Sequence, residues 1–180
     1  MPRIHLSVVA LLGAGVLVAG CGGGDSGSST TSAADWASGY CGDANSWVTT
    51  LGQQRADAKT GKTTPDDAAQ AVTDETNTFT QSIDKLGAPD TADGSTSEAT
   101  AKDLTTMLQG RVARISGAAS TNNPDLSVAA RRQIVDDQVA ASLNDVKTTT
   151  AKLAADDAEL GTAMNASADC TKLNASLAKA

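Results

Sequence analysis

The chain has 180 residues, 14 of them basic and 21 acidic, for a net charge of −7 at pH 7. That balance argues against a nucleic-acid partner, whose phosphates draw most of their binding energy from Lys and Arg. The one histidine, His5, lies near the N-terminus, so the body of the chain lacks the side chain that titrates near neutrality and serves Ser-His-Asp or Cys-His catalysis.

Arg3 and His5 give a weakly basic start, followed by an apolar run from Leu6 to Ala19. A membrane-spanning helix needs about 20 apolar residues. Gly13, Gly15 and Gly20 interrupt a shorter run here, so the segment reads as a removed signal. Its last residues, Leu17-Val18-Ala19-Gly20-Cys21, look like a bacterial lipobox. The resemblance implies a signal peptide over 1–20 and a lipidated Cys21 carrying a diacylglyceryl thioether. It also implies anchorage to the cell membrane on its extracytoplasmic face, since two or more acyl chains hold stably where one is marginal. The alternative is an ordinary secretory signal cut elsewhere, with Cys21 unmodified. Without Arg3 the 14 basic residues become 13 against 21 acidic, a net charge of −8. Such a surface repels anionic headgroups and leaves the anchoring to the lipid.

Gly22 to Ala34 (GGGDSGSSTTSAA) is a low-complexity stretch that completes a linker region over 21–34. It spans about 20 Å root-mean-square as a flexible chain. A single helical domain is expected over 35–180. With Cys21 acylated, Cys41 and Cys170 are the remaining thiols, and an even pair in an oxidising compartment reads as a disulfide. Two buried free thiols or a bridge between molecules are the alternatives.

Helical spacing dominates the domain. The first stripe is Trp36, Tyr40, Ala44, Trp47, Val48 and Leu51; the second is Val72, Thr76, Phe79, Ile83 and Leu86. Leu104, Leu108, Val112 and Ile115 form a third, and Val128, Val135, Val139, Val146 and Leu153 a long fourth. Thr64-Pro65-Asp66-Asp67, Ser95-Thr96-Ser97-Glu98 and Asn123-Pro124-Asp125 supply start signals for helices two, three and four. No alternating strand pattern competes. The expected fold is all-α, an antiparallel four-helix bundle with a C-terminal tail after Gly161 tied back to helix one by the Cys41–Cys170 disulfide. Closing so long a loop is worth about 4 to 5 kcal/mol by the chain-entropy argument.

Trp36 stands five residues before Cys41, and Leu160, Ala163, Cys170 and Leu173 mark the other end. In this layout the chain resembles small secreted lipoproteins of high-GC Gram-positive bacteria. The resemblance implies a helical exported domain and assigns no active-site residue.

Individual motifs point to little chemistry. Glu75, Glu98 and Glu159 are the only glutamates, too few for a di-iron bundle, which also needs Glu-x-x-His pairs. Lys59-Thr60-Gly61-Lys62-Thr63 imitates the end of a phosphate-binding loop, but Ala56 replaces its leading glycine and no strand precedes it. Asp90, Asp93 and Glu98 lack EF-hand spacing and read as the cap of helix three. Asp156, Asp157 and Glu159 read as a solvated turn. No metal or cofactor is expected.

Two features stand out. Arg55, Arg111, Arg114, Arg131 and Arg132 fall at the bundle end away from the anchor, a candidate anion or partner site because guanidinium forks grip carboxylate and phosphate. Asp57, Asp66, Asp67, Asp136 and Asp137 share that end and offer plain ion pairing instead, Arg132 with Asp136 among them. The Trp36, Tyr40, Trp47 stripe fits core packing, or an apolar ligand pocket; Trp36, beside the linker, also suits the membrane interface. The expected function is a non-enzymatic interaction or structural module in the cell envelope, with an envelope protein as partner. The alternative is a carrier for a small apolar or anionic ligand.

Overall fold

A computed structural model describes residues 31–119 and 125–179. The signal, Cys21 and most of the linker lie outside the described residues, as do Asn123 and Pro124. The chain is all-helical, 85% helix with six helices among the described residues. In chain order the elements are β1 (Thr31–Ser32), α1 (Ala33–Lys59), α2 (Pro65–Leu86), β2 (Pro89–Asp90), α3 (Gly94–Ala119), α4 (Val128–Asp156), α5 (Ala158–Ala166) and α6 (Ala168–Leu177).

The fold begins earlier than the linker composition suggests. Thr31 and Ser32 pair in parallel with Pro89 and Asp90, the Thr31 hydroxyl donates to the Leu86 carbonyl at 3.1 Å, and Ala33 and Ala34 already belong to α1. Ser32 is the cap that starts α1: its hydroxyl oxygen accepts from Asp35 N–H and its hydroxyl donates to the Asp35 carboxylate. Thr64 does the same with Asp67, with Pro65 in the first turn of α2. Each reciprocal pair satisfies a helix-end donor that otherwise has no partner.

Two starts differ from expectation. Helix α3 opens at Gly94, with Thr96 and Ser97 N–H donating to the Asp93 carbonyl, so Ser95 lies inside the helix and Glu98 pairs with Lys102 instead. Gly94 is required there, because a Cβ would stand 2.0 Å from the Pro89 carbonyl oxygen. Helix α4 begins at Val128 and is capped by Ser127, which accepts from Ala130 N–H; the start expected at Asn123 and Pro124 falls outside the described residues.

The first stripe is buried throughout. Trp36 stacks on Tyr40 with ring centroids 5.3 Å apart, and Trp47 stacks on Phe79 at the same separation. Their polar atoms are satisfied: Trp36 Nε1–H donates to the Gly87 carbonyl at 2.9 Å, and Trp47 Nε1–H to the Thr76 hydroxyl at 3.1 Å. The Thr150 hydroxyl donates to the Val146 carbonyl, so Tyr40 O–H is the donor in its 3.2 Å bond to Thr150. Trp36 is therefore a core residue and not a membrane-interface one. Threonine and serine fill much of the remaining interior. Thr105, Ser142 and Thr150 return their hydroxyls to carbonyls three or four residues earlier, which removes the cost of burying them. Val112 is only half-buried and Val128, in the first turn of α4, is exposed.

The C-terminal segment is more ordered than a tail. Asp157 ends α4 and caps α5, Gly161 lies inside α5, and Ser167 caps α6. Gly161 passes so close to α4 that a Cβ would meet the Ala154 carbonyl oxygen at 2.2 Å. Helix α6 is joined to α1 by the Cys41–Cys170 disulfide. It runs parallel to α1: Ser38 donates to Asp169 and Ser176 to Asn45, each pair 131 residues apart in sequence.

Candidate functional site

The five arginines do not converge on one point. Arg55 on α1 bonds Asp136 on α4 through Nε at 2.5 Å, with Lys59 Nζ 3.4 Å from the same oxygen. Burial alone raises the Asp136 carboxyl, but the Arg55 and Lys59 charges outweigh it and hold the group below the usual carboxylate range. Arg111 on α3 bonds Asp145 on α4 and shares a shallow pocket with Arg114 and Met107. Arg131 turns back to the Ala119 carbonyl at 3.4 Å, a cation at the negative end of α3. The guanidinium of Arg132 lies under the α1–α2 loop, where a Cβ on Gly61 would be 3.5 Å from it; the intrahelical Arg132–Asp136 pairing does not form, since Asp136 is taken by Arg55 and Lys59.

The loop that imitates a phosphate-binding motif joins two helices, with Gly61 at φ 70°. Asp156 pairs with Lys152. Among the described residues no group of three or more His, Cys, Asp or Glu is placed to hold a metal, and no helix is long and apolar enough to cross a membrane.

Asp157, expected in a solvated turn, is buried. Its carboxylate accepts from Thr91 O–H at 2.5 Å, Ser97 O–H at 3.1 Å and Leu160 N–H at 2.9 Å. Burial pushes this carboxyl up; the Leu160 N–H, the Thr91 and Ser97 hydroxyls and the Glu159 N–H together pull it further down, leaving it below its ordinary value. Its role is structural, tying the β2–α3 turn to the α4–α5 junction. The sequence signal was an Asp ahead of Ala158-Glu159, a helix-start pattern with an acid in the first turn.

A surface groove of about 410 Å³ runs along the second half of α1 beyond the end of α6, lined by Val48, Gly52, Arg55, Ala56, Lys59 and Lys179 among others. Arg55 also borders a smaller depression with Lys147 and Leu177, and Lys59 another with Arg132 and Asp136. Of the five arginines, Arg55 and Arg132 thus flank neighbouring concavities, whereas Arg111 and Arg114 line a different one. The aromatic stripe lines none of these. In comparisons with known proteins, no family model, no curated protein and no solved structure matches the chain.

Proposed function

We propose that this chain is a membrane-anchored extracytoplasmic module that works by binding a partner rather than by catalysis. Acylated Cys21 holds it to the membrane, and α1 to α4 form an antiparallel four-helix bundle that presents its surface away from the anchor. Cross-helix bonds support the bundle. On α1 and α4, Tyr40 meets Thr150 and Arg55 meets Asp136; on α3 and α4, Thr100 meets Lys152 and Arg111 meets Asp145. In both pairs residue numbers rise on one helix as they fall on the other.

The observation that carries the binding reading is the pairing of a filled interior with an open surface groove. Trp36, Tyr40, Trp47 and Phe79 pack on one another at the centre, which favours an interaction surface over a carrier with an internal pocket. The Cys41–Cys170 bond agrees with an oxidising compartment. Cells expressing the full chain or Cys21→Ser, fed an alkyne-tagged palmitate, test the anchor. The label enters the parent chain, which sediments with membranes, and is absent from Cys21→Ser, which is found in the soluble fraction. Equal labelling of both chains, or an unlabelled parent, refutes the anchor.

A further inference from the structure

Helix α6 covers only the first half of one face of α1. The pairs Ser38–Asp169 and Asn45–Ser176 are each 131 residues apart and Cys41–Cys170 is 129 apart, which sets the alignment of the two parallel helices to about 130 residues. At that alignment Lys179 falls near Val48, while α1 continues to Lys59. The positions of α1 that meet α6, Ser38, Cys41 and Asn45, continue at helical spacing to Val48, Gly52, Arg55 or Ala56, and Lys59. These are the residues that line the 410 Å³ groove. The uncovered part, Thr49 to Lys59, is about 16 Å long at 1.5 Å per residue.

We infer that this groove docks an acidic helical segment of another protein, lying on α1 in line with α6. The inference rests on the interaction-module reading above and names its surface and partner chemistry. Three observations carry it. The vacant stretch continues a face that already receives a helix. Its floor is shallow: Gly52 has no side chain, a Cβ built there meets nothing within 4 Å, and Ala56 adds one methyl, so a second helix can approach closely. Its border is cationic, with Arg55, Lys59 and Lys179 around the groove and Lys147 beside Leu177. Asp136 pairs with Arg55 and Lys59, and the cations that border the groove still outnumber it on a chain whose net charge is −7. Lys147 and Lys179 have no ion-pair partner among the described residues. Cations concentrated on an otherwise anionic protein steer and align an acidic partner.

The probe is a fluorescent helical peptide about three turns long, built from Glu, Ala and Leu, with a Lys-for-Glu peptide as its counterpart. Anisotropy is read against the full-length protein in detergent micelles. The acidic peptide binds and the basic one does not, and affinity falls with added salt. Reversal of Lys59, Lys147 and Lys179 to Glu weakens binding at least about tenfold, a loss near 1.4 kcal/mol. Gly52→Leu leaves every charge in place but fills the groove, and it weakens binding by a similar factor; circular dichroism checks that both variants stay folded. Equal affinity for the two peptides overturns the inference, as does indifference to Gly52→Leu. Two further results also overturn it: phosphatidylglycerol vesicles that bind through the same lysines regardless of Gly52→Leu, or a dimer of the chain that Gly52→Leu dissociates. None of these outcomes depends on acylation of Cys21, so a failure here is distinguishable from a failure of the anchor.

Discussion

Replacing Asp157 tests how much of the fold hangs on one buried carboxylate. Asp157→Ala removes the acceptor for Leu160 N–H, Thr91 O–H and Ser97 O–H together. Loss of a helix cap costs about 1 kcal/mol, and hydrogen bonds to a charged acceptor contribute about 1.5 to 3 kcal/mol each. Part of this returns because the carboxylate no longer has to be desolvated, and the exposed portion of Thr91 rehydrates. The expected net loss is about 3 to 4 kcal/mol, a large share of the roughly 5 to 15 kcal/mol that stabilises an ordinary domain. Asp157→Asn keeps an oxygen for Leu160 N–H but turns an N–H toward two hydroxyls that must rotate to accept it, so about half that loss is expected. Urea unfolding followed by fluorescence of the buried Trp36 and Trp47 measures both. The pH dependence supplies a second check. A carboxyl held below its ordinary value stabilises the fold above the unfolded-state pKa, and that contribution disappears as pH falls through the folded value. The gap between the parent and Asp157→Asn therefore narrows as pH is lowered below about 4. An Asp157→Ala variant within about 0.5 kcal/mol of the parent, or a gap to Asp157→Asn that stays constant at low pH, would refute the reasoning.

Opening the Cys41–Cys170 bond, either by reductant or in a Cys41→Ser/Cys170→Ser double variant, lengthens the unfolded chain's freedom across 129 residues; the loss is up to about 5 kcal/mol, read as a lower urea midpoint. Tyr40 is pushed up to about 12 by burial. A raised tyrosine pKa means that the folded state holds its proton more tightly, so this stabilisation is complete below pH 10 and is lost between pH 10 and 12, by about 3 kcal/mol. Tyr40→Phe flattens that decline in alkaline unfolding curves. Gly94→Ala and Gly161→Ala place a methyl against backbone oxygens, and each costs about 1 to 3 kcal/mol or more. Gly117→Ala, whose Cβ meets nothing within 4 Å, instead adds about 0.5 to 1 kcal/mol of stability, read as a higher melting temperature.

The long helices were legible because their apolar spacing is a property of the local chain. Trp36 through Leu51 repeats at three and four residues, and every member is buried. Val128 failed at the same test because it sits in a first turn, beyond the region its neighbours cover. Helix α6 left a faint trace: Cys170 and Leu173 are its only buried residues, and two positions do not establish a period. Ser95 read as the cap of helix three and Asn123-Pro124-Asp125 as the start of helix four, whereas α3 opens at Gly94 and α4 is capped by Ser127. What fixes the first is the approach of the Pro89 carbonyl to Gly94, a contact between segments that local pattern does not encode. The same limit applies to the surface. That Arg55 takes Asp136, that Arg132 goes under Gly61, and that α6 stops short of the end of α1 all depend on how helices distant in sequence lie beside one another. Composition gave the charges their sign and number, and tertiary packing distributed them.

The β1 pairing and the disulfide together make the N-terminal end resistant to mechanical load. A pull on the chain ahead of Thr31 first meets the Thr31 N–H bond to Ala88 and the Thr31 hydroxyl bond to Leu86. Next it meets the Trp36 bond to Gly87. Should these yield, residues 31 to 40 unwind and the force then passes through a covalent bond into α6. Unravelling from that end is thereby limited to the segment before Cys41, while the α1 face from Thr49 to Lys59 lies past the covalent stop and keeps its shape under tension.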